Sequence, residues 1–149
     1  MPTESKGQGL SVKIERLDHM VLTVRDIEVT IAFYSNVLGM QPVTFGKGMR
    51  ALAFGQQKFN LHPADAPYQP QADKPLPGTA DICLITKSPI ADVVAALQSA
   101  GVEVEVGPVP RYGALGRMTS VYFRDPDNNL VEVSNYEEQL PRRSATPDA

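Results

Sequence analysis

The chain has 149 residues, of which 42% are hydrophobic and 21% are charged, and its formal net charge at pH 7 is −3. This length and composition predict one soluble domain with a sizeable core. The weakly acidic balance gives no electrostatic reason to expect nucleic acid or an anionic membrane as a partner. The single cysteine, Cys83, excludes an intramolecular disulfide. With no apolar run near the roughly 20 residues that span a bilayer, the sequence predicts a cytoplasmic protein.

The two ends of the chain are expected to lie outside the folded domain. Residues 1–13 are rich in glycine, serine and lysine and have little to bury, so they predict a loose N-terminal arm. Residues 137–149 likewise have little to bury and predict a loose C-terminal tail. The domain itself is assigned to residues 14–136.

The first half of the domain, residues 14–62, is predicted to form a β-α-β-β-β unit. Its β-branched and apolar start, residues 14–24, indicates a strand. Asp26 can cap a helix with an apolar stripe, which Gly39 would end. Glycine-containing turns then separate three short strands, predicted at residues 43–45, 50–54 and 58–62.

A proline-rich linker follows, and then the same pattern returns in residues 80–136. Five prolines in residues 63–79 exclude a helix or a central strand there. Asp81 lies 62 positions after His19, and Gly101 lies 62 positions after Gly39. The second copy has predicted strands at residues 81–86, 103–106, 118–124 and 130–134, with Ser88 as helix cap, Gly101 as helix end and a turn at residues 125–129. Two tandem βαβββ modules therefore predict one α+β domain.

A few polar residues interrupt the predicted strands. His19 lies among apolar neighbours, which is compatible with a hydrogen-bonded core histidine or with a ligand. Glu132 is flanked by Val131 and Val133, and a carboxylate there needs a partner, a cation or solvent. The alternative for Glu132 is a solvated edge strand with the side chain facing outwards.

The repeat relates these residues in pairs. Asp81 occupies the position of His19, and Asn60 occupies the position of Glu132, while His62 follows Asn60 on the same strand face. Two imidazoles with one or two carboxylates suit Zn, Ni, Mn, Fe or Co, and open coordination positions would remain for a substrate oxygen. The joint pattern favours a divalent metal site with His19, His62, Asp81 and Glu132 as candidate ligands, in which the ion could act as a Lewis acid.

Three segments carry a resemblance to a known family. They are LDHMVLTV at residues 17–24, AFYSNVLGM at residues 32–40 and FRDPDNNLVE at residues 123–132. The chain resembles the vicinal oxygen chelate superfamily, which contains glyoxalase I, fosfomycin resistance proteins, bleomycin-binding proteins and extradiol dioxygenases. With FNLH at residues 59–62 and DICLIT at residues 81–86, it resembles the glyoxalase-domain-containing protein five group more closely still.

The resemblance implies a glyoxalase-like metalloenzyme with lyase, isomerase or dioxygenase chemistry, in which Glu132 would be both a ligand and the catalytic residue. It also implies a homodimer. His19 and Glu132 match the ligand types of the family, whereas Asp81 replaces a usual histidine and Asn60 replaces the glutamate of glyoxalase I. Either Asp81 or His62 could supply the third ligand, and Asp81 could instead cap the linker turn. Thr23 stands where glyoxalase I has an arginine for glutathione, which argues against true lactoylglutathione lyase activity.

Substrate contacts are expected from Asn60 and from a glycine-broken loop at residues 107–117. Arg111, Tyr112 and Arg117 in this loop could form a lid over an anionic or oxygen-rich small molecule, or could be ordinary solvated side chains. The alternative function is a metal-free small-molecule-binding or resistance protein of the bleomycin-binding type, because two of the usual ligand positions are changed.

Overall fold

The computed structural model of the protein describes residues 10–66 and 68–137. Most of the predicted N-terminal arm and almost all of the predicted C-terminal tail lie outside these residues. Residues 10–18 have no regular structure, and the Ile14 side chain is 83% exposed. The first strand therefore begins at His19, five residues later than the β-branched sequence predicts, because residues 14–18 have no neighbouring strand to pair with.

Within the described residues the chain forms eight strands and two helices. In chain order they are β1 (His19–Val24), α1 (Ile27–Leu38), β2 (Gln41–Phe45), β3 (Met49–Phe54), β4 (Gln57–Pro63), β5 (Asp81–Ile85), α2 (Ile90–Ser99), β6 (Val106–Gly113), β7 (Gly116–Arg124) and β8 (Leu130–Tyr136).

The two halves form two four-stranded sheets of identical topology. The N-terminal sheet has the order β1-β4-β3-β2, and the C-terminal sheet has the order β5-β8-β7-β6. In each sheet the first and last strands of the module pair in parallel, and the other neighbours are antiparallel. This confirms two tandem βαβββ modules and the α+β class.

The first helix begins and ends as the sequence predicts. The Asp26 carboxylate accepts a hydrogen bond from the Val29 backbone N–H at 3.1 Å, and Gly39 adopts the left-handed conformation, with φ of 69°. The start of α2 differs, since its N-cap residue is Pro89 rather than Ser88. Asn135 of β8 supplies the missing acceptor, because its Oδ1 lies 2.9 Å from the Ile90 backbone nitrogen.

The prediction for residues 103–117 is wrong. Instead of a strand at 103–106 followed by a loop, β6 runs from Val106 to Gly113 and forms a hairpin with β7. The prolines at positions 108 and 110 suggest a loop, but β6 is an edge strand, where proline is tolerated. A bulge lies between Val106 and Val109, where Gly107 has φ of 108° and packs so closely on the Ser120 carbonyl that a Cβ would not fit.

One of the two edge strands of each sheet contains proline. β2 contains Pro42, and β6 contains Pro108 and Pro110. Because proline has no backbone N–H to donate, such strands offer an incomplete ladder to another chain. The opposite edges, β1 and β5, contain no proline.

One hydrophobic core joins the two halves. The α1 helix contacts both sheets, since the Tyr34 ring packs on Phe59 of β4 at 5.8 Å and the Phe33 ring packs on Phe123 of β7 at 6.3 Å between centroids. The buried members of the core are Leu22, Val24, Ile31, Tyr34, Met40, Leu52, Phe59, Leu61, Val93, Leu97, Val121, Phe123, Val131 and Val133.

A buried carboxylate in the turn between β7 and β8 fixes how the halves meet. Asp125 is only 5% exposed. It accepts hydrogen bonds from the Tyr34 hydroxyl at 2.7 Å, from the Asn129 amide at 2.9 Å and from the backbone N–H groups of Asp127 and Asn129 at 2.9 Å. Burial and the adjacent carboxylate raise the pKa of Tyr34, so its hydroxyl stays protonated and remains a donor.

The same turn also holds the end of β1 and the end of the linker. The Asp127 carboxylate accepts from the backbone N–H of Arg25 at 3.0 Å, just after β1. The Asn129 side-chain Oδ1 accepts from the Ala80 backbone N–H at 2.9 Å, where the linker ends. Across residues 10–66 and 68–137, no helix is long and apolar enough to cross a membrane.

We expect Tyr34→Phe to lower the free energy of unfolding by about 1.5–3 kcal/mol, because it removes one donor from a buried carboxylate while keeping the ring. Urea denaturation measures the change. Tyr112→Phe is the matched control, since the Tyr112 side chain is 77% exposed and its loss should change stability by less than about 0.5 kcal/mol. Equal stability of the two variants would contradict the role assigned to Asp125.

Candidate functional site

Strand alternation places His19 on the face of the N-terminal sheet that points away from the helices. Leu22 and Val24 of β1 belong to the core, so His19 and Thr23 lie on the opposite face. This surface is termed the N-terminal open face. The His19 side chain is 43% exposed, and its Nδ1 lies 2.8 Å from Asp18 Oδ2. His19 is therefore a reachable surface histidine and not a core residue.

Lys58, Asn60 and His62 of β4 share the N-terminal open face. In the parallel pair, His19 lies opposite Lys58, and Thr23 lies opposite His62. Asn60 is half-buried midway between them, and its Oδ1 is buried with no hydrogen-bond partner among the described residues. Such an amide oxygen is costly to leave unpaired, and a donor group or a cation would satisfy it.

His62 lies at the other end of this face from His19. The four positions of β4 that separate it from Lys58 correspond to about 13 Å along the strand. Its ring packs on Tyr68 of the linker, with the centroids 4.7 Å apart and the planes at 38°. Burial lowers the pKa of His62, which favours the neutral imidazole at pH 7.

Glu132 occupies the corresponding open face of the C-terminal sheet. Its neighbours Val131 and Val133 point into the core. The strand β8 lies between β5 and β7, so the alternative of a solvated edge strand is wrong. Across the ladder, Glu132 has Cys83 of β5 on one side and Tyr122 of β7 on the other.

A cleft of about 440 Å³ covers this surface, which is termed the C-terminal cleft. Glu132 lines it together with Cys83, Arg111, Tyr112 and Tyr122. The Ser134 hydroxyl lies 3.4 Å from Glu132 Oε2 and 2.6 Å from the Ser120 hydroxyl, so buried hydroxyl groups support one side of the carboxylate. Burial, followed by the Glu132 carboxylate, raises the pKa of the Cys83 thiol, which disfavours a nucleophilic thiolate.

The structure separates the three residues predicted for the lid. Arg111 and Tyr112 line the C-terminal cleft, and Arg111 Nε donates to the Tyr122 hydroxyl at 2.8 Å. Arg117 is instead held by Glu137 at 3.0 Å and by the Tyr112 hydroxyl at 3.2 Å, and it does not appear among the described residues that line the cleft.

Asp81 begins β5 on the same strand face as Cys83. Its side chain is exposed, and it makes no side-chain hydrogen bond to any residue in the described ranges. The end of the linker is instead held by Asn129, which accepts from the Ala80 backbone N–H. The expected capping role of Asp81 therefore belongs to Asn129.

A single chain does not bring the predicted metal ligands together. Each sheet contributes its helix-covered face to the shared core, and the predicted ligands lie on the opposite faces of two separate sheets. Over residues 10–66 and 68–137, no three His, Cys, Asp or Glu side chains lie close enough to hold an ion. His19 and Asn60 lie on one surface, whereas Asp81 and Glu132 lie on another.

The sequence predictions missed two neighbours of Glu132. Cys83 could have been found by strand alternation, since it follows Asp81 by two residues and must share its face. Tyr122 could not, because only the register of β7 against β8 places it beside Glu132.

The sequence profile described as the Glyoxalase/Bleomycin resistance protein/Dioxygenase superfamily matches residues 16–133 of the chain. The virulence protein STM3117 of Salmonella typhimurium is 50% identical over 129 residues, which cover 87% of this chain and 90% of that protein. The glyoxalase domain-containing protein RDO1 of Mycosarcoma maydis is 46% identical over 131 residues, which cover 88% and 74% of the two chains.

Solved structures agree with these matches. The crystal structure of STM3117 superposes with a TM-score of 0.82 at 51% identity and covers 84% of this chain and 99% of that one. A protein from the mobile metagenome of V. Pseudocholerae superposes with a TM-score of 0.85 at 49% identity, covering 87% of this chain and 100% of that one. The chain therefore belongs to the glyoxalase/bleomycin resistance protein/dioxygenase superfamily, also called the vicinal oxygen chelate superfamily.

Proposed function

We propose that this protein is a metal-dependent enzyme of the vicinal oxygen chelate type, which binds a small oxygen-rich substrate at a divalent ion. The observation that carries the proposal is the placement of His19 and Glu132. Each lies on an open face of its sheet, within reach of solvent, at a strand position where the resemblance to the family implies a ligand. We keep the cytoplasm as the expected compartment.

The donors fit a borderline divalent ion in chemistry but not within one chain. An imidazole from His19, carboxylates from Asp81 and Glu132 and the unpaired amide oxygen of Asn60 are ligands that Zn, Ni, Mn, Fe or Co accept. They lie on two separate sheets, and no three His, Cys, Asp or Glu side chains converge in the described part of one chain. We therefore propose a homodimer in which the N-terminal open face of one copy meets the C-terminal cleft of its partner.

This arrangement favours Asp81 over His62 as the third ligand. Asp81 shares a strand face with Cys83, which lies directly opposite Glu132. His62 lies about 13 Å along β4 from the level of His19, against the linker.

In the proposed chemistry the ion, Glu132 and Arg111 each have a different role. When bound, the ion would polarise a substrate oxygen and stabilise charge that develops on it. The Glu132 carboxylate can accept or return a proton at the carbon next to a carbonyl. The Arg111 guanidinium, held by Tyr122, can bind an anionic oxygen of the substrate. The metal identity would separate isomerase or lyase chemistry from dioxygenase chemistry, and Thr23 argues against lactoylglutathione lyase.

One observation favours the alternative, a metal-free small-molecule-binding protein. In the described part of one chain no three donors converge, and Asn60 stands where glyoxalase I has a carboxylate ligand. The C-terminal cleft, with Arg111 and its tyrosines, could then hold a ligand without an ion.

The first test is the metal content of protein purified without chelator. We expect about one transition-metal ion per chain, as for a site with one set of protein ligands, and its loss in His19→Ala and in Glu132→Gln. Glu103→Gln is the matched control, because Glu103 is exposed and lies outside the C-terminal cleft. Unchanged metal in both site variants would refute the ligand assignment. No metal in the parent protein after Ni, Mn, Fe and Zn are offered would favour the binding protein.

The proposed homodimer can be tested by mixing two variants that each lack a different proposed metal ligand. Sedimentation should give twice the chain mass of 16.2 kDa. If His19 and the partner's Glu132 share one ion, mixing His19→Ala with Glu132→Gln after subunit exchange should restore part of the bound metal, since one site of each mixed dimer is intact. A monomer at micromolar concentration, or a mixed sample as empty as its components, would contradict the shared site.

Metal-free protein should lose stability on acidification partly through His62. Its pKa is lowered in the folded state, so the folded chain binds this proton less readily than the unfolded chain does. The resulting stability is present above the ordinary histidine value of about 6.5 and is lost as the pH falls through the window between that value and the lowered one. In EDTA, His62→Gln should show a smaller fall in Tm than the parent between about pH 7.5 and 5. An equal fall would show that His62 does not contribute.

A further inference from the structure

The linker between the two halves arches over the ends of β1 and β4. These two parallel strands end side by side, with Thr23 opposite His62. The chain leaves β4 with the Ala64 backbone N–H bonded to the Val24 carbonyl at 2.9 Å, and it reaches β5 with Ala80 bonded to Asn129 at 2.9 Å. The prolines between these anchors prevent the linker from pairing with the sheet, so the arch leaves a space beneath it.

This space is a cavity of about 310 Å³, which is termed the linker pocket. Its volume is at the lower end of the range of small-molecule sites, about 300–1,000 Å³. The walls are largely apolar and come from Val21 on the sheet and from Pro70, Pro75 and Leu76 on the linker. The ligand that fits is therefore small and mainly apolar.

The lining also includes polar side chains, among them those of Thr23, His62, Tyr68 and Lys74. The His62 and Tyr68 rings lie 4.7 Å apart at the pocket surface, and together they present flat faces suited to a planar ligand. Thr23 lies opposite His62 in the register of β1 and β4. Lys74 is the one Lys, Arg, Asp or Glu side chain among the described residues that line the pocket.

We propose that the linker pocket binds a small planar organic acid, an aromatic or conjugated carboxylate. Its ring would lie between the proline walls and the rings of His62 and Tyr68, and its carboxylate would pair with the Lys74 ammonium. The site lies on the N-terminal open face, two residues along β4 from Asn60, but it is complete within one chain. It therefore goes beyond the proposed function and needs neither the metal nor the dimer.

Calorimetric titration of the full chain in EDTA with trans-cinnamate tests the proposal, and cinnamamide serves as its neutral counterpart. Cinnamate should bind more tightly than cinnamamide, and Lys74→Met should weaken cinnamate binding about tenfold while leaving cinnamamide unchanged. Lys47→Met is the matched control, an exposed lysine in the turn between β2 and β3. Ala72→Trp should abolish binding of both compounds, because Ala72 is an exposed residue of the pocket wall and a large ring there would fill the space.

Amide chemical-shift changes identify where the ligand sits. Changes centred on Thr23, His62 and Lys74 would support the pocket. Equal binding by Lys74→Met and Lys47→Met, changes centred on Arg111 and Glu132, or no binding at millimolar cinnamate would overturn the proposal. Binding that requires added metal and disappears in His19→Ala would also overturn it, since the acid would then sit at the ion. If the protein binds no metal, cinnamate should still bind in EDTA, so the two proposals can fail independently.

Discussion

The buried carboxylate of Asp125 is the constraint on which the arrangement of this molecule depends. A carboxylate removed from water is stable only when donors surround it. Here the donors are two backbone N–H groups of its own turn, the Asn129 amide and the Tyr34 hydroxyl of the first helix. Two side chains of this turn, Asp127 and Asn129, then accept hydrogen bonds from the backbone N–H groups of Arg25 and Ala80. The end of β1, the first helix and the end of the linker thus meet at one point.

The fold could be predicted where the determining interactions are local. Asp26 and Gly39 mark the ends of α1 through their own backbone preferences, and the 62-residue repeat predicts the second module from the first. Prediction failed where a partner strand decides the outcome. Residues 14–18 have strand propensity without a neighbour, whereas residues 106–113 contain two prolines and still form an edge strand against β7.

For the candidate site, too, the local features could be predicted and the long-range ones could not. Alternation along a strand places Asn60 with His62 and sets Glu132 apart from its apolar neighbours, and the structure agrees. Which faces the helices cover, and how the two sheets meet, depends on contacts such as Phe33 with Phe123 that no local pattern encodes. The sequence therefore suggests one centre for all four donors, whereas the chain presents them on two surfaces.

The prolines of β2 and β6 make it harder for a strand of another chain to pair with these two edges than with the β1 and β5 edges. In both modules the strand that follows the helix carries them, Pro42 in one and Pro108 with Pro110 in the other. Neither β2 nor β6 can offer a complete hydrogen-bonding edge to a newly made chain nearby. Partly folded chains can therefore add a strand mainly at the β1 and β5 edges. This limits aggregation by successive strand pairing during synthesis.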